Sequence, residues 1–125
     1  MKKGAVLLVE DEVMIRMMVA GMLEELGYTV AAEAGTVTAA MEFAQSTNFD
    51  FAILDVHLGG KDVAPLADAL AEQDRPFIFA TGDLKELPVR HRNRPFVEKP
   101  FSIENLAQKI NDVRAERGGI VQAPT

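Results

Sequence analysis

The sequence predicts a doubly wound α/β domain, a parallel sheet with helices on both faces, and three observations lead there. Short apolar runs without polar alternation recur along the chain, which is how strands buried on both faces read. Between them lie segments whose apolar residues recur at three- and four-residue steps. Strands alternating with helices in this way imply right-handed crossovers and a parallel sheet. The third observation is size: 125 residues, 48% hydrophobic and without cysteine, make one ordinary domain whose core needs no covalent staple.

Each element follows in order. Ala5 to Val9 is a β-favouring apolar run, and Ile15, Met18, Val19, Met22 and Leu26 then mark one face of a helix over 12–26, closed by Gly27 at its C-cap position. Tyr28 to Glu33 is a shorter strand, and Thr36 opens an Ala-rich helix with Val37, Ala40, Met41 and Ala44 on one side. Asp50 to Asp55 is a third strand, ended by Leu58-Gly59-Gly60. The helix over 63–73 tolerates Pro65 because it falls in the first turn. Pro76 to Ala80 and Arg94 to Glu98 are the last two strands, and Ser102 to Arg117 is a helix with Ile103, Leu106, Ile110 and Val113 on one face. Only Thr81 to Asn93 separates strands four and five, too few residues for two loops and a full helix. This crossover is expected to be a short helix or a mobile loop. The domain is expected over 1–117, with 118–125 as a flexible tail.

Composition excludes several function classes. Without cysteine, and with two distant histidines (His57, His91), thiolate zinc sites, cysteine nucleophiles and disulfide frameworks are out. Thirteen Lys and Arg against nineteen Asp and Glu, a formal charge of -6, argue against nucleic acid as a partner, because duplex affinity comes mainly from neutralising phosphates. A protein partner or a cation is expected instead. No apolar run approaches a membrane span, and Met1-Lys2-Lys3 leads into a strand rather than a signal-peptide core, so the expectation is a cytoplasmic protein without membrane contact.

In an open parallel sheet the site lies beyond the carboxyl ends of the strands. Those ends carry Glu10 and Asp11 on the first strand, Asp55 on the third, Thr81 on the fourth, and Lys99 before Pro100 on the fifth. Three carboxylates held together repel one another unless a cation neutralises them. With oxygen ligands only, Mg²⁺ suits such a set. A carboxylate can attack phosphorus to give an aspartyl phosphate, and the transfer asks the protein mainly for positioning and charge stabilisation. Asp55, on the most central strand, is the candidate nucleophile. Glu10 and Asp11 are candidate metal ligands with Asp55, Lys99 a candidate for neutralising phosphoryl oxygens, and Thr81 a hydrogen-bond donor to them. Singly each residue has an ordinary explanation: a cap, a solvated helix start, a turn threonine, a surface lysine. Their arrival at the same end of successive strands favours the joint reading.

The stretches VLLVEDE, DFAILDVHLGG, FIFATGD and FVEKPF, in this order, resemble the receiver domain of two-component response regulators, from about Gly4 to Arg117. The resemblance implies a flavodoxin-like five-stranded sheet of order 2-1-3-4-5. It implies Glu10 and Asp11 as the acidic pair for Mg²⁺, Asp55 as acceptor of a phosphoryl group from a histidine kinase or phosphotransfer protein, Thr81 as the switch hydroxyl and Lys99 as the phosphoryl contact. It further implies a metal-ligating backbone carbonyl at His57, a cis Lys99-Pro100 bond, and Phe96 as a switch aromatic, a position that a core strand Phe would also explain. The first acidic residue is Glu rather than the commoner Asp, which lengthens one arm without removing a ligand. Phe79-Ala80-Thr81-Gly82 and the short crossover resemble the stand-alone Phe-Ala-Thr-Gly subfamily with a reduced fourth helix, although Asp83 and Leu84 replace residues often found there.

Eight residues beyond 117 leave no room for an effector, so output is expected through contact with a downstream protein, or the domain is a phosphate sink. Met14 and Met17 lie off the core face of the first helix, and are either incidental or part of a surface for a partner helix. Arg90, His91, Arg92 and Arg94 form either a basic patch or a solvated loop. His57 and Asp83 flank Asp55 and Thr81, where they are candidates for tuning hydrolysis. Two rivals remain: a degenerate receiver that acts only as a binding module, and a small Mg²⁺-dependent phosphatase. The phosphatase reading is weakened by Asp55-Val56-His57, which lacks a second carboxylate two residues on.

Overall fold

The structure, a computed structural model, describes residues 3–122, with side chains through 115. Five parallel strands, β1 (Ala5–Val9), β2 (Thr29–Ala34), β3 (Phe51–Asp55), β4 (Phe77–Thr81) and β5 (Phe96–Glu98), form one sheet of order β2-β1-β3-β4-β5. Four α-helices connect and cover it: α1 (Val13–Glu25), α2 (Val37–Ser46), α3 (Ala64–Glu72) and α4 (Ile103–Gln122). The chain goes one way from β1 to β2 and then back across to β3. That reversal opens a crevice between the carboxyl ends of β1 and β3.

Side chains alternate across each strand, so the sheet divides the core in two. Leu7, Val9, Leu54 and Phe79 face α2 and α3, where Ala40, Ala44, Leu66 and Leu70 meet them. Val6, Leu8, Ile53 and Ile78 face α1 and α4, packing on Val19, Leu23, Leu106 and Ile110. β1, β3 and β4 are apolar nearly throughout because both their faces are covered. β2, at one edge, is buried only at Ala34.

The helix starts follow local chemistry. Thr36 caps α2 by accepting the N–H of Ala39 at 3.0 Å. Ser102 and Asn105 cap the start of α4 reciprocally, Asn105 N–H donating to Ser102 Oγ (3.0 Å) and Ser102 N–H to Asn105 Oδ1 (3.3 Å). Pro65 sits in the first turn of α3, where its missing N–H removes no helical bond.

Three expectations change. On α1, Leu23 is buried and Met18 exposed, so the core stripe is rotated from the one read by periodicity. β5 is shorter than expected: Pro95 accepts a bond from the Phe79 N–H but has no N–H of its own to extend the ladder. α4 extends to Gln122. The side chains of the tail expected over 118–125 lie outside the described residues, as do 123–125 entirely. The crossover between β4 and β5 holds two three-residue 3-10 turns, Leu84–Glu86 and Val89–His91, and no α-helix. Among the described residues no helix is long and apolar enough to cross a membrane.

Candidate functional site

At the carboxyl rim the sheet brings together the residues that the sequence singled out. Glu10 and Asp55 are both buried, although each bears a carboxyl group. Ligand oxygens of Glu10, Asp11 and Asp55 lie within 4.8 Å of one another. Lys99 reaches across from the end of β5 and donates to Glu10 Oε1 at 2.8 Å and Asp55 Oδ1 at 3.2 Å. The Lys99-Pro100 peptide is cis, as the resemblance implied.

Backbone groups fix the carboxylates. Glu12 N–H donates to Glu10 Oε2 (3.1 Å), and His57 N–H to Asp55 Oδ1 (3.3 Å). Gly59 N–H donates to Asp11 Oδ2 at 3.0 Å. Gly59 and Gly60 have φ of 59° and 80°, left-handed values that side chains with a Cβ rarely adopt. A Cβ at either would meet open space, so the backbone conformation that turns this N–H toward Asp11, not crowding, is what favours glycine here.

The electrostatics follow from burial. Asp55 is pushed from its ordinary 3.8 up to about 6, first by burial and then by the hydrogen bond with Glu10, against the pull of Lys99. For Lys99, burial works against the ammonium, but the bond to Glu10 and the charge of Asp55 outweigh it and hold its pKa above the ordinary value. The donor set is oxygen only and rich in negative charge, which fits a hard divalent cation such as Mg²⁺.

Thr81, buried at the end of β4, has its hydroxyl engaged locally. It donates to the Asp83 carbonyl at 2.9 Å and accepts the Asp83 N–H at 3.1 Å. Phe96 is half-buried against the core, and Lys109 Nζ lies 5.8 Å from its ring centroid. The side chain of His57 stands at the rim and pairs with Glu86 of the crossover at 2.6 Å.

The expected run of basic residues is dispersed. His91 is buried, with Nε2 2.7 Å from Asp68 Oδ1 on α3, and Arg90 forms a two-pronged pair with the same carboxylate. Arg94 lies over the Phe77 ring and Arg92 faces solvent. Asp68 and Glu86 carried no signal in the sequence, since neither belongs to a motif and their partners lie on other elements. Met14 and Met17 are exposed on α1 together with Val13 and Met18. Beside them Ile15, Met18, Val19, Lys99, Pro100 and Phe101 line an apolar cavity of about 310 Å³.

Residues 6–111 match the sequence model of the family described as Response regulator receiver domain. The transcriptional regulatory protein PdtaR of Mycobacterium tuberculosis is 36% identical over 110 residues, 84% of this chain and 54% of that protein. This chain thus spans about half the length of that relative. The solution structure of SdrG from Sphingomonas melonis Fr1 superimposes with a TM-score of 0.79 at 38% identity, covering 88% of this chain and 95% of SdrG. A BeF3-activated conformation of SdrG gives a TM-score of 0.74 at 40% identity over 85% of this chain and 92% of that one. With the 2-1-3-4-5 parallel sheet and the acidic rim beside Lys99, these matches establish that the chain belongs to the response regulator receiver domain family of two-component signalling.

Proposed function

We propose that this domain accepts a phosphoryl group on Asp55 from a histidine kinase or phosphotransfer protein and passes the change to a downstream protein. The observation that carries this reading is the Lys99 ammonium bonded to both Glu10 and Asp55, beside Thr81, at the carboxyl rim of the sheet. Glu10, Asp11, Asp55 and the backbone carbonyl of His57 would hold Mg²⁺. When bound, the ion supplies positive charge beside the transferring oxygens.

Near neutral pH Asp55 is mainly ionised despite its raised pKa of about 6. Its oxygen forms the new P–O bond as the P–N bond of a phosphohistidine breaks and the imidazole leaves with a proton. Lys99 lies where it can move from the carboxylates to a phosphoryl oxygen. Thr81 can give up its bond to Asp83 and donate to another. Its departure would release the start of the crossover, and Phe96, paired on the next strand with Phe79 two residues before Thr81, would repack. That is a shift between two populations of the crossover and β5 surface. Val13, Met14, Met17 and Met18 on α1, next to the site through Lys99 and Pro100, suit an apolar partner helix.

Intact mass spectrometry after incubation with acetyl phosphate and Mg²⁺ tests the chemistry. The expected result is one phosphoryl adduct, absent in Asp55→Asn and in the presence of chelator. No adduct under any condition refutes the reading and leaves a binding module, whereas multiple turnover on phosphomonoesters points to a phosphatase.

A further inference from the structure

The side chains of His57 and Glu86 form a strap that no motif announces. His57 stands on the loop after β3, two residues beyond Asp55, and its Nε2 lies 2.6 Å from Glu86 Oε2 on the first turn of the crossover. The two residues, with Val56, Lys61, Val63 and Pro88 among others, border an open cleft of about 410 Å³ between the loop and the crossover. The contact is short and charge-assisted, and it joins two segments that share no sheet ladder at that point.

The first turn of the crossover is also where Thr81 is held. Its hydroxyl donates to the Asp83 carbonyl and accepts the Asp83 N–H, and the Asp83 side chain in turn accepts the Lys85 N–H at 2.9 Å. Thr81, Asp83 and the turn ending at Glu86 therefore form one short mechanical unit, and the His57 bond anchors its far end. A Thr81 hydroxyl that donates to a phosphoryl oxygen must abandon Asp83, and the unit must yield.

We propose that Glu86 is a positioning residue: by holding His57 it fixes the crossover in the arrangement where Thr81 is bonded to Asp83, and so opposes capture of a phosphoryl group at Asp55. The proposal rests on the receiver reading above and adds the regulation of that same site. It makes the resting state of Thr81 depend on a contact outside the acidic cluster. A change at the crossover thereby alters the readiness of Asp55.

The test is beryllofluoride binding in Mg²⁺ by the full chain, read from amide chemical shifts of Gly82 and Asp83, for wild type, Glu86→Ala, Glu86→Gln, His57→Ala and the double alanine variant. Glu86→Ala is expected to tighten binding by about two- to five-fold, the range an exposed ion pair supports. Its Gly82 and Asp83 amides should move toward their bound positions before any ligand is added. Glu86→Gln, which still accepts from His57, should lie closer to wild type. His57→Ala should tighten binding like Glu86→Ala, and the double variant should add nothing.

Charge alone predicts otherwise. Removing an acid would help an anion in both Glu86 variants alike, and removing a histidine would not help it. Equal gains for Glu86→Ala and Glu86→Gln with weaker binding for His57→Ala overturn the strap, as does wild-type binding in all variants, and both leave the receiver reading intact. No Mg²⁺-dependent binding by the wild type overturns both.

Discussion

Replacing Asp55 with asparagine should stabilise the protein in the absence of divalent cations. Burial, the neighbouring Glu10 and the partial relief from Lys99 leave Asp55 with a pKa of about 6 against an ordinary 3.8. A carboxyl whose folded-state pKa is raised favours the fold while protonated, below about pH 4, and loses that advantage as pH rises through about 6. The full shift corresponds to about 3 kcal/mol. Solvent reaches the rim and asparagine weakens one Lys99 contact, so about 1–2 kcal/mol is the expected net gain near neutral pH. For a chain of this length that is a rise in Tm of about 4–8 °C. Thermal unfolding followed by circular dichroism in chelator, at about pH 7.5 and about pH 4, reads the effect. The gain should be present at the higher pH, shrink at the lower one and, on the proposed Mg²⁺ ligation through the Asp55 carboxylate, be offset by Mg²⁺. An Asp55→Asn protein no more stable than wild type at the higher pH, or equally stabilised at both, refutes the reasoning.

Lys99→Met leaves Glu10 and Asp55 without their shared cation, and should cost about 2–4 kcal/mol in chelator. Urea unfolding should show part of that recovered by Mg²⁺. Thr36→Ala removes the cap bond to Ala39 and should lower stability by about 1 kcal/mol, as a reduced urea midpoint with unchanged m. Asp68 is held well below the ordinary carboxylate range by its bonds to Arg90 and then His91. Its hold on the crossover is therefore present above that ordinary range and lost only as pH falls well beneath it. Asp68→Asn should speed hydrogen exchange at Arg92 and Arg94 but leave the amides of β1 and β3 unchanged; uniform acceleration would instead mean global destabilisation.

The fold was legible because its signals are local. Ala5–Val9, Phe51–Asp55 and Phe77–Thr81 are apolar without alternation, and that pattern arises only where both faces of a strand are covered. Both ends of α1 and α3 and the start of α2 lie within one residue of the expected positions, where Gly27, Pro65 and Thr36 punctuate the chain. The α1 stripe was misjudged at Met18 and Leu23 because several positions around that helix are apolar. Periodicity cannot orient a helix that is apolar over more than one face. β5 was overextended because Pro95 resembles a strand start until the ladder is known.

The sequence by itself determined the order of elements, the short crossover, and the residues standing at the strand ends, because each depends on neighbours within a turn or a strand. Through the topology of a parallel sheet it also foretold that Glu10, Asp11, Asp55, Thr81 and Lys99 would share one rim. Only the tertiary structure decided what those side chains do to one another: Lys99 bonded to Glu10 and Asp55 together, Thr81 turned onto Asp83, His57 tied to Glu86. It alone decided that His91 is buried on Asp68, 23 residues away. Such pairs depend on distances between elements set by packing of the whole core, and a side chain's polarity records that it needs a partner without recording which one.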